Sequence, residues 1–357
     1  MQRAIELAER GRYTTHPNPR VGCVIAQGER VVGEGWHRTA GEAHAEPLAL
    51  RAAGDAARGA TAYVTLEPHC FHGKTPPCTQ ALIASGVARV ACGVLDPNPK
   101  VHGAGMRELA EAGIVAQAGL LADAARELNM GFEKRMRTGL PRVIVKVAAS
   151  LDGRIALANG ESRWITSESA RADVQRLRAS ASAVLTGVDT VIQDDPRLNV
   201  RDPTIDLAGR ALLRVVLDTH LRVSAASELF STPEPILIAT CAATSDRGEA
   251  LQARGAELIR ISPDSAQRVD LRELLRELGR RECNDVLVEA GPTLTSSFLE
   301  PGLCDELIVY LAPRLIGAHG KPMVHLPSIQ RLEDSLQFAL HNAEPIGPDL
   351  KLTLRRQ

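Results

Sequence analysis

The sequence predicts a two-domain α/β protein, and three observations carry that reading. The chain has 357 residues, long for one domain and comfortable for two. Short apolar runs alternate with helix-like stretches, the pattern of a sheet covered by helices. The alternation breaks once, at Glu133-Lys134-Arg135-Met136-Arg137 and then Thr138-Gly139-Leu140-Pro141, which reads as a solvated helix end and linker. The expected domains are residues 1–139 and 140–357.

Taking the elements in order, Gln2–Arg10 reads as an amphipathic helix with Arg3, Glu6, Glu9 and Arg10 as its charged residues. Strand Val21–Ala26 turns at Gln27-Gly28 into strand Val31–Trp36, a hairpin. Helix Ala45–Ala56, strand Ala62–Leu66, helix Pro77–Ser85 and strand Arg89–Val94 follow. Helix Gly105–Ala112, strand Ile114–Ala118 and helix Leu121–Lys134 close the first series. The second opens with the near-continuous apolar strand Arg142–Ala148 and helix Ser167–Ser180, capped by Thr166 or Ser167. Later strands are Ala183–Thr186, Val215–Asp218, Ile236–Thr240, Leu258–Ile261, Val286–Glu289 and Leu307–Leu311, with Asp202–Ala208 a polar loop.

Hydrophobic residues make up 44% and aromatics only 3%, so the cores must be built from Ala, Val, Leu and Ile. Scarce aromatics disfavour RNA stacking platforms. A net charge of −1 argues against a nucleic-acid or anionic-membrane footprint. No apolar run approaches membrane-spanning length, and the N-terminal helix lacks a signal-peptide core. Seven scattered cysteines, at 23, 70, 78, 92, 241, 283 and 304, suit a reducing cytoplasm better than a disulfide framework.

The chemistry-bearing signal is split. His44-Ala45-Glu46 precedes Glu67-Pro68-His69-Cys70-Phe71-His72-Gly73-Lys74-Thr75-Pro76-Pro77-Cys78. A zinc hydrolase needs three protein ligands and one open position. In zinc deaminases a His-x-Glu and a later Pro-Cys element supply ligands and a carboxylate proton shuttle. His44 and Cys78 are the outer ligand candidates and Glu46 the catalytic shuttle. Cys78 opens a helix, whose N-terminus favours a thiolate. The residues leave His69 and Cys70 both open for the remaining position.

These strings, with Pro17-Asn18-Pro19-Arg20-Val21-Gly22, Gly33-Glu34-Gly35-Trp36-His37, Asp96-Pro97-Asn98-Pro99 and Leu128-Asn129-Met130-Gly131-Phe132, resemble the bifunctional deaminase–reductase of riboflavin biosynthesis. The resemblance covers nearly the whole chain. It implies an N-terminal cytidine-deaminase-like α/β/α sandwich and a C-terminal dihydrofolate-reductase-like α/β domain. It implies Zn2+ and NADPH as cofactors, a pyrimidine ribosyl phosphate as substrate, and a homo-oligomer, a dimer. Counting back from Cys78 puts His69 where the family carries a Cys ligand, so the implied zinc set is His44, His69 and Cys78. Asn18, His37, Lys74 and Thr75 become substrate contacts around the metal.

In the second domain, Lys146 through Arg154, Gly160 through Thr166, Asp194 through Arg201 and Glu289 through Leu294 carry the resemblance. No Gly-x-Gly-x-x-Gly follows a strand, so a Rossmann site is not supported. Gly187-Val188-Asp189-Thr190 and Gly291 through Ser297 instead offer helix starts for phosphate. The resemblance places NADPH at Ala148, Trp164, Thr190, Asp194, Gly291, Pro292, Thr293, Leu294, Thr295, Ser296 and Ser297. It places substrate at Ser162, Arg178, Leu198, Arg201 and Glu289, with Arg178 and Arg201 as forked phosphate donors. Asp194 and Asp195 also read as a turn and helix cap. Two competing readings are a reductase whose deaminase half is a scaffold, and a nucleotide-sensing or RNA-binding module.

Overall fold

The computed structural model describes residues 1–73, 75–243 and 245–356. The chain separates into two compact units, Met1–Leu140 with Asp206–Arg210, and Pro141–Ile205 with Ala211–Gln357. The expected second domain is therefore interrupted: five residues at the end of the polar loop pack with the first unit, where Arg210 Nε donates to the Tyr13 carbonyl (2.9 Å).

Among the described residues the first unit contains helices α1 (Gln2–Glu9), α2 (Ala45–Ala53), α3 (Cys78–Ser85), α4 (Ala104–Glu111), α5 (Ala122–Glu127) and α6 (Met130–Thr138). Its strands are β1 (Gly22–Gln27), β2 (Arg30–Trp36), β3 (Thr61–Leu66), β4 (Arg89–Val94) and β5 (Val115–Ala118). They form one sheet in the order β2-β1-β3-β4-β5. The β1–β2 hairpin is antiparallel, as is β1–β3, whereas β3–β4 and β4–β5 are parallel. A core of small and branched residues, including Ile25, Ala49, Val64, Leu82 and Val90, fills the layer. Gly33 and Gly35 decide how α2 lies. A Cβ on Gly33 would fall 2.2 Å from the Ala49 carbonyl oxygen, and one on Gly35 would fall 2.5 Å from that of Ala45. Only glycine allows this backbone approach, and it seats the start of α2 directly on the hairpin.

The expected helix Leu121–Lys134 is two helices. The break at Leu128-Asn129 has a physical cause: Asn129 Oδ1 accepts from the Arg20 N–H (2.7 Å) and its Nδ2 donates to the Arg20 carbonyl (2.9 Å). Tertiary pairing outweighs helix continuity there.

In the second unit the strands are β6 (Arg142–Ser150), β7 (Arg154–Ala156), β8 (Ala183–Gly187), β9 (Leu213–Leu217), β10 (Ile236–Thr240), β11 (Ala256–Arg260), β12 (Asp285–Glu289), β13 (Glu306–Ala312), β14 (Lys321–Pro322), β15 (Phe338–Ile346) and β16 (Asp349–Arg356). The helices are α7 (Glu168–Ser180), α8 (Val188–Asp194), α9 (Asp246–Ala253), α10 (Leu271–Arg280) and α11 (Pro292–Leu299). Among the described residues nine strands run in the order β11-β10-β9-β8-β12-β6-β13-β16-β15, and β14 pairs separately with β7. The pairs from β11 to β13 are parallel; β16 and β15 join antiparallel at the β13 edge. Ser167 is the cap of α7, its side chain accepting from Ala170 N. The strands β7, β14, β15 and β16 are not among the sequence-based expectations. No helix among the described residues is long and apolar enough to cross a membrane.

Candidate active sites

In the first unit the hairpin glycines bring the N-terminus of α2 to the N-terminus of α3. His44 is the N-cap residue of α2 and Glu46 lies in its first turn. Cys78 opens α3 after the N-cap residue Pro77, and its N–H donates to the His69 carbonyl (2.7 Å). That bond ties the beginning of the loop after β3 to the helix start. The result is one cluster: donor atoms of His44, His69 and Cys78 all lie within 4.8 Å of one another. Cys70 is not in it. Burial raises the Cys70 thiol, and the carboxylates of Glu108 and Glu67 raise it further.

The donor set fits a metal by an independent sign. Two buried polar atoms at the cluster, His69 Nδ1 and Glu46 Oε2, have no hydrogen-bond partner among the described residues. Buried polar atoms are rarely left so unless something absent satisfies them. Burial lowers His44 to about 4, helped by the neighbouring His37 and His69, so its imidazole is neutral and able to ligate. Burial raises Glu46 to about 7, against a hydrogen bond from Cys78 that lowers it. A carboxyl poised near neutrality can both take and return a proton.

The predicted substrate contacts divide. Asn18 Nδ2 lies 3.0 Å from His37 Nε2, and His37 Nδ1 lies 3.2 Å from the Ala43 carbonyl. Thr75 Oγ1 lies 3.3 Å from His44 Nε2, so its hydroxyl is turned to a candidate ligand. Lys74 lies outside the described residues.

The second unit holds a cavity of about 1580 Å³ at the C-terminal ends of β6, β8 and β12. A single small ligand typically occupies about 300–1,000 Å³, so this space suits a dinucleotide and a substrate together. Ala148, Trp164, Thr190, Asp194, Gly291–Leu294 and Ser297 face it, as do Ser162, Arg178, Leu198, Arg201 and Glu289. Gly291 caps α11, and a Cβ there would meet nothing within 4 Å, leaving the helix start open to a phosphate.

Two expectations need correction. Thr295 and Ser296 do not line the cavity: Thr295 is buried and bonds back to the Ala290 carbonyl (3.3 Å), and Ser296 Oγ accepts from the His325 N–H (2.7 Å). Helical periodicity turns those two positions inward. Arg178 is not an open phosphate fork, because Nε and Nη2 already bond both oxygens of Glu289 (2.6 and 3.0 Å) and Nη1 bonds the Asn199 carbonyl (3.0 Å). Asp195 agrees with the turn and cap reading: it ends α8 and accepts from Ser227 Oγ and the Glu228 N–H.

The residue that the sequence reading left without a role is Lys146. Its Nζ lies 3.2 Å from Glu289 Oε2, and it faces the cavity. A lone charge inside the apolar run Val143–Ser150 was the available signal. Burial would raise the Glu289 carboxyl, yet Arg178 and Lys146 together hold it at about 2. Two cations on one carboxylate leave the floor positive, which suits a phosphorylated ligand. Trp164, exposed at the rim, carries Arg171 over its ring at 4.6 Å.

Comparison with known proteins decides the family. Residues 141–352 match the RibD C-terminal domain family, and residues 1–94 match the cytidine and deoxycytidylate deaminase zinc-binding region. The riboflavin biosynthesis protein RibD of Escherichia coli K12 is 47% identical over 99% of this chain and 98% of its own length. The chain belongs to the RibD family. Its Haemophilus influenzae relative is 44% identical over 99% of this chain and 95% of that one. The solved structure of Acinetobacter baumannii RibD matches with a TM-score of 0.92 at 44% identity, over 100% of this chain and 97% of that one. A Thermotoga maritima structure, described as a diaminohydroxyphosphoribosylaminopyrimidine deaminase/5-amino-6-(5-phosphoribosylamino)uracil reductase, gives 0.86 at 33% identity over 100% and 97%. The chain is thus a bifunctional deaminase and reductase of riboflavin biosynthesis, with Zn2+ and NADPH as cofactors.

Proposed function

We propose that residues 1–139 hydrolyse the 2-amino group of 2,5-diamino-6-ribosylamino-4(3H)-pyrimidinone 5′-phosphate, and that residues 140–357 reduce the ribosyl chain of the product. The observation that carries the first half is the cluster of His44, His69 and Cys78 beside a buried Glu46, one of whose oxygens has no partner among the described residues. Those three residues would hold zinc, which would lower the pKa of a water toward neutrality. Glu46 takes the water's proton and returns it to the leaving amine, so water and an amine become a carbonyl and ammonia. The buried ring of His37, oriented by Ala43, and Asn18 form the polar wall that orients the pyrimidine.

In the second half the cavity residues would hold NADPH, which would supply the hydride for C1′ of the opened ribosylamino group. Lys146, Arg178 and Glu289 form the charged floor, and Arg201 joins them as the phosphate-binding cation. The first turn of α11, from Gly291 to Leu294, cradles the cofactor phosphates. The product is 5-amino-6-ribitylamino-uracil 5′-phosphate. The enzyme works in the cytoplasm as a homo-oligomer, without nucleic-acid or membrane partners. An assay of both half-reactions on one zinc-quantified preparation tests the proposal. Ammonia release proportional to zinc supports it, and reduction without ammonia release removes the first half.

A further inference from the structure

We propose that Thr75 is a positioning residue for the metal ligand His44: its hydroxyl accepts the Nε2 proton and so fixes Nδ1 toward the metal position. This rests on the reading of His44, His69 and Cys78 as the zinc site. The two nitrogens of His44 have different surroundings. Nδ1 lies 3.2 Å from Cys78 Sγ, inside the donor cluster, while Nε2 lies 3.3 Å from Thr75 Oγ1. A metal-ligating imidazole keeps its one proton on the nitrogen away from the metal, and the partner of that N–H sets the ring's tautomer and orientation. The flanks of the ring are taken by imidazoles. His37 and His69 stand edge-on, with centroids at 5.2 and 5.4 Å. They limit tilt, but a half-turn about Cβ–Cγ would put Cδ2 in the place of Nδ1 and Cε1 in the place of Nε2; the bond from Nε2 to Thr75 opposes that flip from the side away from the cluster.

Thr75 is itself held where this role requires. The Gly73 N–H donates to its carbonyl (3.2 Å), and Pro76 follows it, which restricts its backbone to the extended region. Two residues later Pro77 caps α3 and Cys78 begins it. One short segment therefore delivers both a ligand and the group that orients the ligand facing it. Within the string Gly73-Lys74-Thr75-Pro76-Pro77-Cys78 the threonine hydroxyl serves the metal centre and not the pyrimidine.

The test compares full-length wild type, Thr75→Val and Thr75→Ser, titrated with Zn2+ against a chromogenic chelator, with NADPH binding measured on each sample as a check on the fold. Thr75→Val keeps the shape and removes the acceptor. It should weaken zinc by about 10–100-fold, the usual effect of losing such a partner, and leave NADPH binding unchanged. Thr75→Ser should return zinc affinity to near the wild-type value. The proposal is overturned if Thr75→Val binds zinc as wild type does, or if it raises only the KM for the pyrimidine, or if Thr75→Ser is as weak as Thr75→Val. A wild-type chain that binds no zinc would instead overturn the reading of the metal site, before any variant is compared.

Discussion

Arg178 lays its Nε on one oxygen of Glu289 at 2.6 Å and its Nη2 on the other at 3.0 Å, from the last turn of the second unit's first long helix to the end of a central strand. Both side chains are buried, so the pair is both cavity floor and fold. Arg178→Ala would leave Glu289 with Lys146 alone. Removing one partner of a buried pair costs about 3–5 kcal/mol, and the remaining cation puts this case at the lower end. Urea denaturation of the second unit should show that loss. Arg178→Lys should recover part of the stability but not the bidentate geometry. If both variants unfold as wild type, the pair is not holding the floor.

The same carboxylate sets an acid limit. Its folded-state value of about 2 lies below the 4.5 of an ordinary glutamate. A depressed carboxylate contributes stability above the unfolded value and loses it as pH falls through the folded one. The Glu289 contribution should therefore be complete above about pH 5 and drain between about 4.5 and 2. Glu289→Gln should be less stable than wild type at neutral pH but show a shallower loss in that acid window. Denaturant midpoints measured at intervals from pH 6 to pH 3 decide it; parallel curves would remove Glu289 as the titrating group.

What could be read from the chain depended on distance along it. The His44–Glu46 spacing and the Pro77-Cys78 helix start are local, so both were visible as chemistry without coordinates. The Arg178–Glu289 pair spans 111 positions, and no local pattern links the two, which is why Arg178 read as a free phosphate donor. Local pattern also fixed the first hairpin, since strand periodicity and the Gln27-Gly28 turn agree. It missed the final hairpin β15–β16. There β15 is largely exposed and includes Pro345, so it lacks a buried apolar stripe; the spacing of Leu350, Leu352 and Leu354 was the signal available.

Asn129 offers a test of the tertiary bond that splits the helix after β5. Its amide satisfies both the N–H and the carbonyl of Arg20. Asn129→Ala leaves both without that partner and should cost about 1–3 kcal/mol. Asn129→Asp keeps the acceptor and loses the donor, so it should fall between. Thermal unfolding of the zinc-loaded chain measures the order, and an alanine variant as stable as wild type would show that water replaces the amide.

Glu46→Gln preserves size and removes the basic oxygen. General acid–base groups contribute about 10²–10⁴-fold, so ammonia release should fall by at least two orders of magnitude. NADPH-dependent reduction of the deaminated substrate should continue. Near-normal ammonia release would move the proton shuttle to another residue.

His69, and not Cys70, should be the second zinc ligand. Three observations converge on it. His69 supplies a donor atom to the cluster within 4.8 Å, and its Nδ1 is buried without a partner among the described residues. The ring of Phe71 packs against its imidazole at 4.2 Å between centroids, which narrows its rotation. Cys70 offers no donor atom to that cluster. Cys70→Ala should therefore keep about one zinc per chain, the content expected of a single three-ligand site, while His69→Ala should lose most of it. His69→Cys should retain metal and deaminase activity, and its Co2+ form should show a stronger sulfur-to-metal charge-transfer band than wild type, because two thiolates then replace one. Zinc lost from Cys70→Ala but kept by His69→Ala would assign the position to the cysteine.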